Sequence, residues 1–151
     1  MKKPRGTPRL RLSRTLRSRL RDVDAVCLEI QAALRKQRLG SRSFALELMA
    51  RECLNNAVLH GNRADPKRRV ELDLSCAQKW ICLRVSDEGS GFNWRRHRKR
   101  AVSSRGTTNA TDGRGMAILA AYADRVRFNR GGNQVTLWLG KATQNSENRN
   151  E

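Results

Sequence analysis

The chain has 151 residues, the size of one domain with room for a sound core. Lys and Arg number 32 against 14 Asp and Glu, a formal charge of +18, which favours polyanions: nucleotides, nucleic acid, an acidic protein or an acidic membrane surface. No apolar run approaches a membrane span and Met1 to Leu20 lacks the hydrophobic segment of a secretion signal, so a cytoplasmic protein with no membrane partner is expected.

Residues 1–7 are basic and contain Pro4 and Gly6, the composition of a disordered arm. Pro8 to Ser13 alternates Leu10 and Leu12 with arginines, a short edge strand whose charges discourage unwanted pairing. From Arg17 to Arg38 the spacing of Val23, Val26, Cys27, Ile30, Ala33 and Leu34 predicts a helix, with Gly40 as its stop and Ser41 or Ser43 capping the next one.

That next stretch, Phe44 to Gly61, FALELMARECLNNAVLHG, reads as one helix ending on a glycine. At about 100° per residue Leu46, Ala50, Cys53, Leu54 and Ala57 form the core stripe. Glu47 and Arg51 lie opposite at the spacing of a solvated ion pair. Glu52, Asn56 and His60 then line the border of the apolar stripe at successive i, i+4 positions, beside Leu48 and Met49. A carboxylate and an amide there lose hydration and need partners. Either they bond each other and loop backbone, or they face a ligand, Glu52 as a general base and Asn56 as an oxygen ligand for a hard cation.

After the loop NRADPK, Val70 to Cys76 and Trp80 to Val85 alternate apolar and polar residues, an antiparallel hairpin with one face toward the helices. Its second strand runs into Asp87-Glu-Gly-Ser-Gly91-Phe92. A long basic stretch at 92–112 follows, either a lid or disorder. Gly113-Arg-Gly115-Met116 then opens a helix through Tyr122, and Asp124 to Asn129 with Gln134 to Leu139 form a second hairpin around Gly131, Gly132 and Asn133. Residues 142–151 are a polar tail. The order of helices and hairpins predicts an α+β fold, a two-layer α/β sandwich in one domain over 8–141.

Glycines at a strand end let backbone approach a flat or charged ligand, and glycines opening a helix leave free N–H groups for phosphate. Neither pattern is specific alone. There is no Walker A sequence and no metal-spaced Cys/His set; Cys27, Cys53, Cys76 and Cys82 read as buried free thiols. His60 reads as a structural or lining residue and His97 as solvated.

Together, Glu52-x-x-x-Asn56 with Ala57 and His60-Gly61, then Asp87-x-Gly89-x-Gly91-Phe92, then Gly113-Arg-Gly115-Met116, resemble in order and separation the asparagine box and two glycine boxes of the GHKL ATPase superfamily. The resemblance covers Asp22 to Lys141. ECLNNAVLHGN and GRGMAILAAYADRV look most like the anti-sigma factor serine-protein kinases, and at this length the extra domains of larger relatives are not expected. The resemblance implies a histidine-kinase-like (Bergerat) ATPase fold, a mixed, mostly antiparallel sheet covered on one face by helices, with ATP and Mg²⁺ as cofactors. It further implies that Asp87 accepts a hydrogen bond from the adenine amine and that Gly89 and Gly91 pass under base and sugar. Asn56 would hold Mg²⁺, Glu52 would take the proton from the attacking hydroxyl, and Gly113, Arg114, Gly115 and Met116 would surround the phosphates, with lid arginines as further contacts. The partners implied are a sigma factor and a serine-bearing anti-sigma factor antagonist, and a homodimer is expected. Two other functions stand beside this one: a nucleotide-sensing module without phosphoryl transfer, and a nucleic-acid binder using the basic arm and lid. Trp94 is the one aromatic near those basic runs, which counts against the last.

Overall fold

A computed structural model describes residues 7–39, 41–93 and 111–141. Among the described residues five strands and three α-helices follow one another as β1 (Leu10–Arg17), α1 (Leu20–Arg35), α2 (Ser41–Asn56), β2 (Arg69–Cys76), β3 (Trp80–Asp87), α3 (Thr111–Tyr122), β4 (Arg125–Phe128) and β5 (Gln134–Gly140). The strands form one sheet in the order β1-β2-β3-β5-β4. Every pairing among them is antiparallel, so the sheet is not mixed. This is the α+β two-layer sandwich expected from the chain order.

The period-2 pattern sends Val70, Leu72, Leu74, Ile81, Leu83, Val85, Leu137 and Leu139 to one face, where all are buried. Helices α1 and α2 lie on that face and supply Val23, Val26, Ile30, Leu34, Leu46, Met49 and Leu54, each at most 5% exposed. Truncating a leucine such as Leu46 or Leu54 here costs about 2 to 5 kcal/mol, the transfer term plus the cavity it leaves. Met49, placed by the wheel beside the polar border, is a core residue with no exposure.

Four local expectations are corrected. The first strand runs to Arg17, four residues beyond Ser13, because its whole length pairs with β2 from Leu10↔Cys76 to Arg17↔Arg69. Of the two candidate caps, Ser43 does not cap α2: its hydroxyl donates to Glu47 Oε1 at 3.3 Å, one turn further on, and the Ser41 side chain lies outside what the structure describes. Glu47 and Arg51 do not pair, because α1 packs close enough to take both: Arg51 Nη1 donates to Asp24 Oδ1 at 2.6 Å and Gln31 Nε2 donates to Glu47 Oε2 at 3.1 Å. The α-helix ends at Asn56, and Ala57–Gly61 form a π-helical turn in which Asn62 N–H donates to Ala57 O at 2.8 Å. That extra residue in the turn is a feature often found beside functional sites.

All four cysteines are free thiols; Cys27, Cys53 and Cys76 are buried, while Cys82 is half-buried. No helix among the described residues is long and apolar enough to cross a membrane. The expected arm at 1–7 and lid at 92–112 lie mostly, and the tail at 142–151 wholly, outside the described residues.

Candidate functional site

The π-helical turn changes the direction in which α2 delivers its end. It carries Gly61 against the carboxylate of Asp87, so closely that a Cβ on Gly61 would overlap it. Asp87 closes β3, and antiparallel pairing of β3 with β5 (Ser86↔Gln134) puts Asn133 beside it. Asp87 N–H donates to Asn133 O at 2.9 Å, and Asn133 Nδ2 returns a bond to Asp87 O at 3.1 Å. Asn133 is in turn fixed by Asn129, which donates through Nδ2 to Asn133 Oδ1 at 2.7 Å. The tip of the last hairpin is therefore a wall of the site.

The loop after Asp87 folds back on its own carboxylate: Gly89 N–H donates to Oδ1 at 2.8 Å. Gly91 has φ +80°, a left-handed conformation that side-chain-bearing residues rarely adopt, and its vacant Cβ position is filled by the backbone of Gly131. Phe92 follows, its ring edge-on to Phe128 at a centroid distance of 5.4 Å. The Asp87 carboxyl is half-buried, and burial pushes its pKa upward; the Gly89 N–H and the Arg68 guanidinium oppose the shift with smaller effect. A half-buried carboxylate with Oδ1 bonded, on a residue that lines a cleft, suits a neutral donor such as an exocyclic amine.

That cleft has a volume of about 230 Å³. Asn56, His60, Asp87, Gly91, Phe92 and Met116 line it, with Phe128, Gly132 and Asn133 from the last hairpin. Its apolar parts, Val85, Leu119 and Val135, match a flat ring held between a sheet and a helix.

On the other side, α3 brings Gly115 to the polar border of α2. A Cβ built on Gly115 would stand 2.9 Å from Asn56 Nδ2 and 3.5 Å from Glu52 Oε2. Glu52 is half-buried and Asn56 is exposed, so the amide is less sunk than its place on the wheel suggested. The helix opens at Thr111, two residues before Gly113, so the N–H groups left free by helix geometry belong to 111–114 and Gly115 acts through close approach. Gly113 and Arg114 belong to this first turn; of the Arg114 side chain and the lid arginines at 95–100 nothing is described.

Among the described residues no three His, Cys, Asp or Glu side chains cluster as a metal site. The side-chain amide of Asn56, beside the carboxylate of Glu52 and the first turns of α3, fits instead a Mg²⁺ ion that would take its remaining ligands from phosphate and water.

Asn62 escaped the sequence reading, which saw a loop residue. It has no exposure. Its Nδ2 donates to Ser18 Oγ and to Arg69 O, both at 2.8 Å, and its Oδ1 accepts from Glu88 N–H at 2.9 Å. It thus ties the exits of β1 and of α2 and the start of β2 to the residue after Asp87. An asparagine after a glycine looks the same whether it caps a solvated turn or bolts a site together. Asn133 escaped for a related reason: its role depends on β5 lying between β3 and β4.

No curated protein matches the chain. The family model for the histidine kinase-like ATPase domain matches residues 16–139. That span runs from the end of β1 through β5 and contains the three motifs and the cleft they build, and so the chain belongs to the histidine kinase-like ATPase domain family.

Proposed function

We propose that this chain is an ATP- and Mg²⁺-dependent serine kinase that transfers the γ-phosphoryl group of ATP to a serine of an anti-sigma factor antagonist and also sequesters a sigma factor. The observation that supports the reading is the close approach of the Glu52 and Asn56 side chains to Gly115, one turn inside α3; in this reading Glu52 is the base and Asn56 the cation ligand. The resemblance of ECLNNAVLHGN and GRGMAILAAYADRV to the anti-sigma kinases supplies the substrate class.

In this reading Asp87 Oδ2 accepts from the adenine amine, while Gly89 and Gly91 keep the loop flat beneath base and sugar. Glu52 takes the proton of the serine hydroxyl as its oxygen attacks the γ-phosphorus; the bond to the bridging oxygen breaks and ADP leaves. The free N–H groups opening α3, with Gly113, hold phosphate oxygens, and Arg114 adds charge. Mg²⁺ held by Asn56 would neutralise charge on the phosphates during transfer. Met116 packs against the cleft from the α3 side.

The test is incubation of the full chain with γ-labelled ATP and antagonist proteins of the host, read as labelled phosphoserine. Glu52→Ala is expected to abolish label transfer while nucleotide binding persists. ATP binding without label on any antagonist would turn the reading toward a nucleotide-sensing module, and unchanged transfer by the variant would remove Glu52 from the role of base.

A further inference from the structure

The face of the sheet turned away from the helices carries its own pattern. The residues alternating with the buried core positions are Arg11, Arg17, Arg69, Arg84, Arg125 and Arg127, against the two carboxylates Glu71 and Asp73. Asp73 is already used, accepting from Arg84 Nη2 at 2.6 Å and from Ser13 Oγ at 2.7 Å. Two tryptophans lie on the same face. Trp138 sits in the row Arg11, Ser75, Cys82, Trp138, Arg125, which the strand registers define across the whole sheet. The Arg125 guanidinium stands 5.2 Å from the centroid of its ring. Trp80, 40% exposed, is paired with Gly140, and its ring reaches within 3.7 Å of the position a Gly140 Cβ would occupy. Gly140 is two residues from Trp138, about 7 Å along the strand. No described element covers this face.

We propose that the open face of the sheet is a binding surface for single-stranded nucleic acid, with bases stacking on Trp80 and on the Trp138–Arg125 pair and phosphates running along the arginines. The charges rule out a second copy as the fitting occupant, since two such faces would repel. They call for a polyanion. The choice of polyanion follows from side-chain type: the basic groups are guanidinium, which binds phosphate through paired N–H groups and stacks on aromatic rings, a combination lysine lacks. Aromatic platforms flanked by arginine on an open antiparallel sheet match alternating base and phosphate better than the carboxylates of an acidic peptide. The surface lies on the opposite side of the sheet from the cleft, so it is independent of the nucleotide chemistry proposed there.

The experiment is a fluorescence-anisotropy titration of the full chain into a labelled single-stranded oligouridylate at several salt concentrations, with tryptophan emission recorded in parallel. With four phosphates engaged, affinity falls about 50-fold between 50 and 200 mM salt. Stacking quenches tryptophan emission. Trp80→Ala weakens binding roughly tenfold and Trp80→Phe restores most of it, while both keep the parent's thermal stability and ATP affinity. Arg127→Glu weakens binding more than Arg35→Glu, which makes the same charge change on the exposed side of α1. Equal affinities for Arg127→Glu and Arg35→Glu, with no effect at Trp80, would overturn the proposal by leaving net charge alone. It would also be overturned if polyglutamate bound more tightly with the same dependence on Trp80, or if sedimentation placed Trp80 in a dimer interface.

Discussion

Replacing Gly115 by Ala separates fold from site, because the two respond with opposite sign. Within a helix, alanine is favoured over glycine by about 0.5 to 1 kcal/mol, since glycine loses more backbone freedom on folding. The added methyl would stand 2.9 Å from Asn56 Nδ2, whereas comfortable contact begins near 3.5 Å, so the amide must retreat by about 0.6 Å. Asn56 is exposed and its side chain can swing away, so the retreat costs the fold little. It costs the proposed site more: for Asn56 as a Mg²⁺ ligand the distance must be close to 2.0 to 2.1 Å, and a misplacement approaching 1 Å can cost on the order of 100-fold in rate. Gly115→Ala is therefore expected to hold or raise the thermal midpoint by a few degrees while lowering Mg²⁺-ATP affinity and transfer about tenfold or more. Differential scanning fluorimetry without ligand, calorimetric titration with Mg²⁺-ATP and a labelled-transfer assay read the three quantities. Nucleotide affinity and transfer within twofold of the parent would refute the claim that Asn56 and Gly115 share one magnesium-nucleotide site.

Asp87→Asn removes a half-buried charge whose pKa is raised chiefly by burial. A raised folded-state pKa means that the group favours the fold below its unfolded pKa and that this contribution is lost as pH rises through the folded value. The variant should therefore gain stability over the parent at neutral pH and not in acid, while losing about 1 to 3 kcal/mol of ATP binding and the preference for ATP over GTP; equal ATP and GTP affinity in the parent would contradict the adenine contact. ATP binding by the parent should itself weaken as pH falls through the Asp87 pKa, which calorimetry across that range would reveal. Asn62→Ala leaves Glu88 N–H and Arg69 O without their side-chain partner and Ser18 Oγ without its donor, at about 1 to 3 kcal/mol for each buried group; a chemical-denaturation midpoint equal to the parent's would show that the bolt carries no load. Burial above all, and Glu52 beside it, push the Cys53 thiol up to about 12. Mass spectrometry after iodoacetamide treatment at pH 8 should thus find Cys53 unmodified in the native protein and alkylated in denaturant; native alkylation at the rate of Cys82 would contradict its burial.

What the sequence determined by itself follows from periodicity and glycine placement. Five strands, three helices, the inward faces of Val70 to Cys76 and Ile81 to Val85, and the core stripe of α2 are all set by spacing, because burial of one face is a local pattern repeated along the chain. Glu52 and Asn56 stood out because polar residues border an otherwise apolar stripe, and Asp87 and the glycines at 89, 91 and 115 because they close a strand or open a helix in the order of a known set of motifs. Tertiary structure decided whatever depends on elements distant in sequence. Arg51 chose Asp24 over Glu47 because α1 packs beside α2. Asn133 reached Asp87 because β5 entered the sheet between β3 and β4, and Asn62 became a buried bolt because three chain segments converge on it. The tryptophans, at 80 and 138, came to share a face with arginines from β1 to β4 only through strand register, which a count of aromatics near basic runs cannot see. Hydrogen bonds and close approaches between distant segments leave no period in the chain, so they had to be read from the fold.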